Sequence, residues 1–202
     1  MTKYLLFFGL FMCLISCQQK QQSDLPRPKG YNRIDMPVAK YTQVESGHPY
    51  QFEMSAYAKV IPDTVTIGNK NEIFKAEPHW IYLYYPRWDA FIQITYKSLG
   101  GNQQKLKALI NDSFVLAYKH QGKAAGIHDY VMTTTDGRKA SLIELNGEVA
   151  TSLQFFTTDS TKHFLRGAIY VKTATKNDSL APIIRFLKQD AFHLIETLSW
   201  KK

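Results

Sequence analysis

The chain has 202 residues, 45% of them hydrophobic, with 25 Lys and Arg against 17 Asp and Glu, a formal charge of +8, and two cysteines. That is enough apolar material for one domain of ordinary size with its own core. Both cysteines, Cys13 and Cys17, lie at the very start, which excludes thiol catalysis, Cys-based zinc sites and structural disulfides from everything downstream.

Met1–Ser16 opens with one charge, Lys3, continues as an apolar block from Tyr4 to Ile15 and ends on the small residue Ser16. A charged start, a short hydrophobic middle and a small residue at the cut are the layout of a secretory signal peptide. The block falls short of the roughly 20 apolar residues that a membrane span needs. Leu14-Ile15-Ser16 runs directly into Cys17. This looks like a bacterial lipoprotein signal, in which the Cys is acylated and becomes the first mature residue. Two or three acyl chains, at about 0.8 kcal/mol per buried methylene, make a stable tether where one chain is marginal. Residues 1–16 are therefore expected to be a lipoprotein signal peptide, 17–29 a lipidated flexible tether and 30–202 a single domain. No cofactor is expected beyond the covalent lipid on Cys17. The basic surplus of an exported chain points to anionic headgroups or acidic envelope partners, or is a generic solvated surface; it does not point to nucleic acid.

Gln18–Lys29 is polar, Gln-rich and broken by Pro26 and Pro28; such a segment reaches roughly 40 Å at full stretch. Short extended segments are expected near Tyr50–Met54 and Tyr57–Ile61. Asp63–Pro78 is polar and contains Gly68-Asn69, a loop or ragged hairpin. His79–Tyr85 (HWIYLYY) is a continuous apolar run, read as a strand buried on both faces. Pro86 and Asp89 close it, and the alternating Ala90–Lys97 completes an antiparallel hairpin. After Gly100-Gly101, Asn102 caps a helix with Leu106, Leu109, Ile110, Phe114 and Ala117 at helical spacing and Gly122 as its expected stop. Strands at Gly126–Thr134 and Arg138–Leu145 flank Asp136-Gly137, a strong turn signal. Strands at Thr151–Thr157 and His163–Lys172 flank a turn holding Asp159-Ser160. On this last pair Leu153, Phe155, Leu165, Ile169 and Val171 share an apolar face, while Phe156, Phe164, Arg166 and Tyr170 share a more polar one. Asp178 or Ser179 caps the final helix, Pro182 sits in its first turn, and Leu180, Ile183, Ile184, Leu187, Ala191, Leu194, Ile195 and Leu198 form its stripe. The whole reads as an α+β layer fold, an antiparallel sheet flanked by helices.

Leu153–Ser160 (LQFFTTDS), His163–Ala168 (HFLRGA), Asp178–Pro182 (DSLAP) and His193–Trp200 (HLIETLSW) resemble the gliding-motility lipoprotein GldD family of Bacteroidetes. Pro28-Lys29-Gly30-Tyr31 with Arg33-Ile34, Tyr57-Ala58-Lys59 and Lys119-His120 fit the same pattern, so the likeness covers nearly all of the mature chain. It implies a role in gliding motility and the linked type IX secretion machinery, and it brings no catalytic residues with it. In that bacterial group an acidic cluster after the lipidated Cys directs lipoproteins to the cell surface; Cys17 has none, so the expected place is the outer membrane, facing the periplasm. The element order also looks like the Mog1/PsbP-type α-β-α sandwich, an analogy of fold alone.

Six scattered histidines include no i, i+4 zincin pair, and neither Gly-x-Ser-x-Gly nor a Gly-rich phosphate loop occurs. No metal or catalytic residue is therefore assigned. Asp159, Ser160 and His163 resemble acid, nucleophile and base, but a tight turn rarely aims neighbours at one another, and Asp and Ser are ordinary turn residues. Arg166 is either an interaction residue or the partner of a nearby acid. Trp80 and Trp88, with Tyr82, Tyr84 and Tyr85, line a groove or, as is commoner for aromatic strands, the core. The candidate interaction surface is thus Trp80, Trp88, Asp159, Ser160, His163 and Arg166. The leading expectation is a non-enzymatic, membrane-tethered accessory factor whose partners are other gliding and secretion envelope proteins. The alternatives are an envelope lipid- or glycan-binding domain with a pocket between sheet and helix, and an envelope hydrolase.

Overall fold

The computed structural model describes residues 30, 33–44, 47–63, 65–66, 74–75, 78–172 and 177–201. The expected signal peptide, the tether with Cys17, and Gly68-Asn69 lie outside them. In chain order the elements are β1 (Tyr41–Gln43), β2 (Tyr50–Gln51), β3 (Glu53–Ser55), β4 (Lys59–Pro62), β5 (Val65–Thr66), β6 (Phe74–Lys75), β7 (Ile81–Tyr85), β8 (Ala90–Ser98), α1 (Gln103–Tyr118), β9 (Ala124–Thr133), β10 (Lys139–Gly147), β11 (Leu153–Thr158), β12 (His163–Val171), α2 (Asn177–Thr197) and β13 (Ser199–Trp200).

Seven strands form one antiparallel sheet in the order β4-β7-β8-β12-β11-β10-β9. Two hairpins, β7-β8 and β9-β10, are closed by the turns the sequence marks, and β12 joins the halves by pairing with both β8 and β11. Because strand side chains alternate, each face of this sheet collects one parity of each strand. Leu153, Phe155, Leu165 and Ile169 point to one face, where Ile183, Leu187, Ala191, Leu194 and Ile195 of α2 meet them in the main core. Phe156 and Phe164 point to the other, beneath Leu106, Leu109, Ile110 and Phe114 of α1. The result is an α-β-α sandwich of the α+β class. Each such large side chain, fully buried, contributes about 1.5–3 kcal/mol.

Two local expectations are corrected. Strand β7 is not buried on both faces: Ile81, Leu83 and Tyr85 are sealed in the core, but Tyr82 and Tyr84 are only half-buried. The reason is that α1 lies over β11 and β12 and does not extend to β7. Helix α1 also ends before Gly122, at Tyr118. The N–H of His120 bonds the Ala117 carbonyl (3.2 Å) and that of Lys123 bonds the His120 carbonyl (3.0 Å). The chain tightens into a short 3-10 turn over Gln121–Lys123, which satisfies the end carbonyls without a left-handed glycine.

The last residues close the structure. β13 pairs with β2, Trp200 opposite Tyr50, and the Lys201 N–H bonds the Pro49 carbonyl (2.9 Å). A polar cluster ties α2 to the N-terminal strands. Asp190, 3% exposed, accepts from the Tyr85 hydroxyl (2.9 Å), and His193 Nε2 lies 2.7 Å from Glu53 Oε2 while its ring stacks on Tyr41 at 3.5 Å. Burial pushes the Asp190 carboxyl above its ordinary value, against the pull of the Ser55, Tyr85 and Tyr41 hydroxyls.

Candidate functional site

Since α1 covers only part of its face of the sheet, the remainder is open. A cavity of about 640 Å³ lies there, floored by β7, β8 and β12 and walled by the C-terminal half of α1. An adjoining hollow of about 830 Å³ shares Phe91, Lys119, His120 and Tyr170 with it, so the two form a continuous groove. Tyr82 meets Phe91 edge-on (5.2 Å, 88°) and Phe91 stacks on Tyr170 (5.1 Å, 24°), which makes an aromatic floor. Trp80 stands at one end, its indole N–H bonded to the Tyr96 carbonyl (2.9 Å) and its ring 5.1 Å from Lys97 Nζ. Burial, followed by a hydrogen bond to Asp63, pushes the Tyr82 hydroxyl up to about 12.

Arg166 is the charged centre of the groove. The β12 register places it between Thr95 on β8 and Phe156 on β11, on the face that α1 leaves partly open. Nη2 donates to Gln154 Oε1. Its Nε is sealed from solvent with no hydrogen-bond partner, and among the described residues no carboxylate forms an ion pair with it. Burial lowers its pKa, opposed by the Tyr170 hydroxyl beside it, yet guanidinium remains a cation in proteins. His120, at the exit of α1, is held below its ordinary value by burial and then by the charges of Arg166 and Lys123. In the smaller cavity Lys97, Lys119 and Arg166 face one carboxylate, Asp112. The field there is positive.

The structure divides the six residues of the expected interaction surface between three places. Trp80 and Arg166 meet in the groove. Trp88 is core, packed edge-on against Phe186 at 5.0 Å and 9% exposed, so it offers no open surface. Asp159, Ser160 and His163 occupy the β11-β12 turn but do not act on one another as a triad. Asp159 Oδ1 accepts the backbone N–H groups of Thr161 (3.0 Å), Lys162 (2.8 Å) and His163 (2.8 Å). Ser160 has φ +65°, and its N–H bonds Thr158 Oγ1 (2.9 Å). The His163 ring turns to the opposite face of the sheet, where Nδ1 lies 2.8 Å from the Tyr96 hydroxyl and the ring stacks on Trp200 (5.0 Å, 8°). Among the described residues no three His, Cys, Asp or Glu side chains sit close enough to hold a metal ion. Sequence reasoning missed Lys97, Lys119, His120 and Gln154 as parts of a site. For Lys97 the available signal was the alternation of β8, which puts Gln93, Thr95 and Lys97 on one face; Gln154, Lys119 and His120 come from other elements that this alternation does not reach.

Fold and groove together give an α-β-α sandwich with a partly open sheet face, where aromatic rings surround a half-buried cation. The family follows from comparison. The chain belongs to the gliding motility lipoprotein GldD family, whose profile matches residues 21–200. Membership makes it a lipoprotein of gliding motility, associated with a membrane at the cell envelope. No curated protein matches the chain. Among solved structures it is similar to the cyanobacterial PsbP (CyanoP) of Synechocystis sp. PCC 6803, in a solution structure, at 11% identity and a TM-score of 0.46 over 84% of this chain and 97% of that one.

Proposed function

We propose that the chain is a non-enzymatic accessory or assembly factor of the gliding apparatus and the linked type IX secretion machinery, held by lipid on Cys17 to the periplasmic face of the outer membrane. The observation that carries this reading is a family match over residues 21–200 placed directly behind Leu14-Ile15-Ser16-Cys17. The lipid confines the domain to a surface and raises its effective concentration near membrane-bound partners. The non-enzymatic reading is supported by Asp159, whose carboxylate is engaged by backbone N–H groups and not by a base.

Co-purification from gently solubilised envelopes, wild type against Cys17→Ala, is the test. Recovery of motility or secretion components with the lipidated form alone is expected. Equal recovery with both forms, or unchanged membrane fractionation of Cys17→Ala, would defeat the tethering argument. A second reading, a ligand-binding domain with its pocket between sheet and helix, is favoured by the aromatic groove under α1.

A further inference from the structure

Arg166 sets a problem that no contact within the described residues solves. A guanidinium carries a permanent charge and five donors; here the groups that meet it are the Gln154 amide and the Tyr170 hydroxyl, both neutral. Its Nε has no acceptor. A half-buried cation whose Nε is sealed without an acceptor costs stability that its neutral neighbours return only in part. The surrounding charges leave a positive excess: Lys119 lines the same cavity from the end of α1 and Lys97 from β8, against the single carboxylate of Asp112, while His120 is held toward its neutral form. The balance favours an anion as the occupant.

The size and walls of the cavity say what kind of anion. A volume of about 640 Å³ is that of a site for a small organic molecule, well beyond a bare ion. Trp80, Tyr82 and Phe91 offer flat apolar surface for its body. Arg166 and Lys119 with neutral His120 beside them offer several donors to an anion with more than one acceptor oxygen, the pattern of a phosphate ester.

Building on the ligand-binding reading, we propose that this groove binds a phosphate ester, with its phosphate on Arg166 beside Lys119 and His120 and its organic body along Trp80, Tyr82 and Phe91. The phosphate belongs either to an anionic lipid headgroup or to a free phosphorylated small molecule.

Calorimetric titration of the full-length chain in non-ionic detergent decides. The probes are inorganic phosphate, glycerol 3-phosphate, dihexanoyl phosphatidylglycerol and its zwitterionic phosphatidylcholine counterpart. Saturable binding of at least one of the first three is expected, weakened at least about tenfold by Arg166→Gln, as for loss of a charge-assisted partner. The double variant Lys119→Gln/His120→Gln, at the end of α1 and outside the main core, should weaken it as well, and Lys107→Gln on the exposed side of α1 should not. Binding of glycerol 3-phosphate identifies a free phosphate ester, and binding of phosphatidylglycerol alone identifies a headgroup. Equal binding of phosphatidylcholine and phosphatidylglycerol would overturn the anionic site and leave the ligand-binding reading standing. No binding by any probe, or binding indifferent to both groove variants, would overturn the proposal outright.

Discussion

Gly167→Ala tests the packing that places Arg166. Gly167 sits in β12 directly opposite Phe155 of β11, and a Cβ built on it would lie 2.1 Å, 2.3 Å and 2.8 Å from three atoms of the Phe155 ring. Its backbone is in the ordinary range, so alanine brings no conformational strain. On chain entropy alone the substitution should stabilise by about 0.4–1 kcal/mol. The ring cannot swing aside, however, because Phe155 is 1% exposed and wedged in the core under α2. Overpacking of this kind costs about 1–3 kcal/mol, so the steric effect wins and the net loss is roughly 1–2 kcal/mol. For a domain of this size that is a fall in Tm of about 2–8 °C by thermal unfolding. Phe155→Leu in the same background should restore part of the loss, giving a coupling energy between the two sites of about 1 kcal/mol in a double-mutant cycle. A Gly167→Ala protein as stable as wild type, or one whose loss is indifferent to Phe155→Leu, would refute the reasoning.

Two further outcomes concern pH. In the β9-β10 turn the Asp136 carboxyl is held down to about 2, first by the Thr134 hydroxyl and then by Arg138. Its contribution is complete above its ordinary value of 3.8 and is lost as pH falls toward 2; the Tm deficit of Asp136→Asn should therefore shrink between pH 5 and pH 2. Asp190 has the opposite sign. Its carboxyl is raised by burial, so the folded state binds the proton more tightly and stability falls as pH climbs above 3.8. Asp190→Asn keeps an acceptor for the Tyr85 hydroxyl and should gain on wild type from pH 4 to pH 7. Asp190→Ala takes the carboxylate acceptor away from that buried hydroxyl and should cost about 1–3 kcal/mol.

The parts of the fold legible in the sequence are those governed by short-range physics. The stripe from Ile183 to Leu198 has a period of 3.6, Asp136-Gly137 demands a turn, and the parity of Leu153, Phe155, Leu165 and Ile169 names a buried face. The β12 alternation also separated Arg166 from that face. What the sequence did not carry is which strand lies beside which. Nothing local tells β12 to pair with β8 as well as β11, or two residues at the C-terminus to pair with Tyr50–Gln51. The fate of Tyr82 and Tyr84 turned on how far α1 reaches across the sheet, which is set by packing distant from either residue. The setting of Arg166 was hidden for the same reason: its neighbours Gln154, Tyr170 and His120 come from separate stretches of the chain.

The clasp between β13 and β2 has a consequence for how the molecule is made. The core face of the sheet has no cover until α2 has been synthesised, and the N-terminal strands have no lock until Trp200 reaches Tyr50. At roughly 5–20 residues per second, ribosomes take about one to four seconds to add the 21 residues of α2. Throughout that interval Leu153, Phe155, Leu165 and Ile169 lack the helix that buries them. Folding of this sheet is thus completed as a unit and not strand by strand, because the helix that seals its apolar face follows every strand of the seven in the chain.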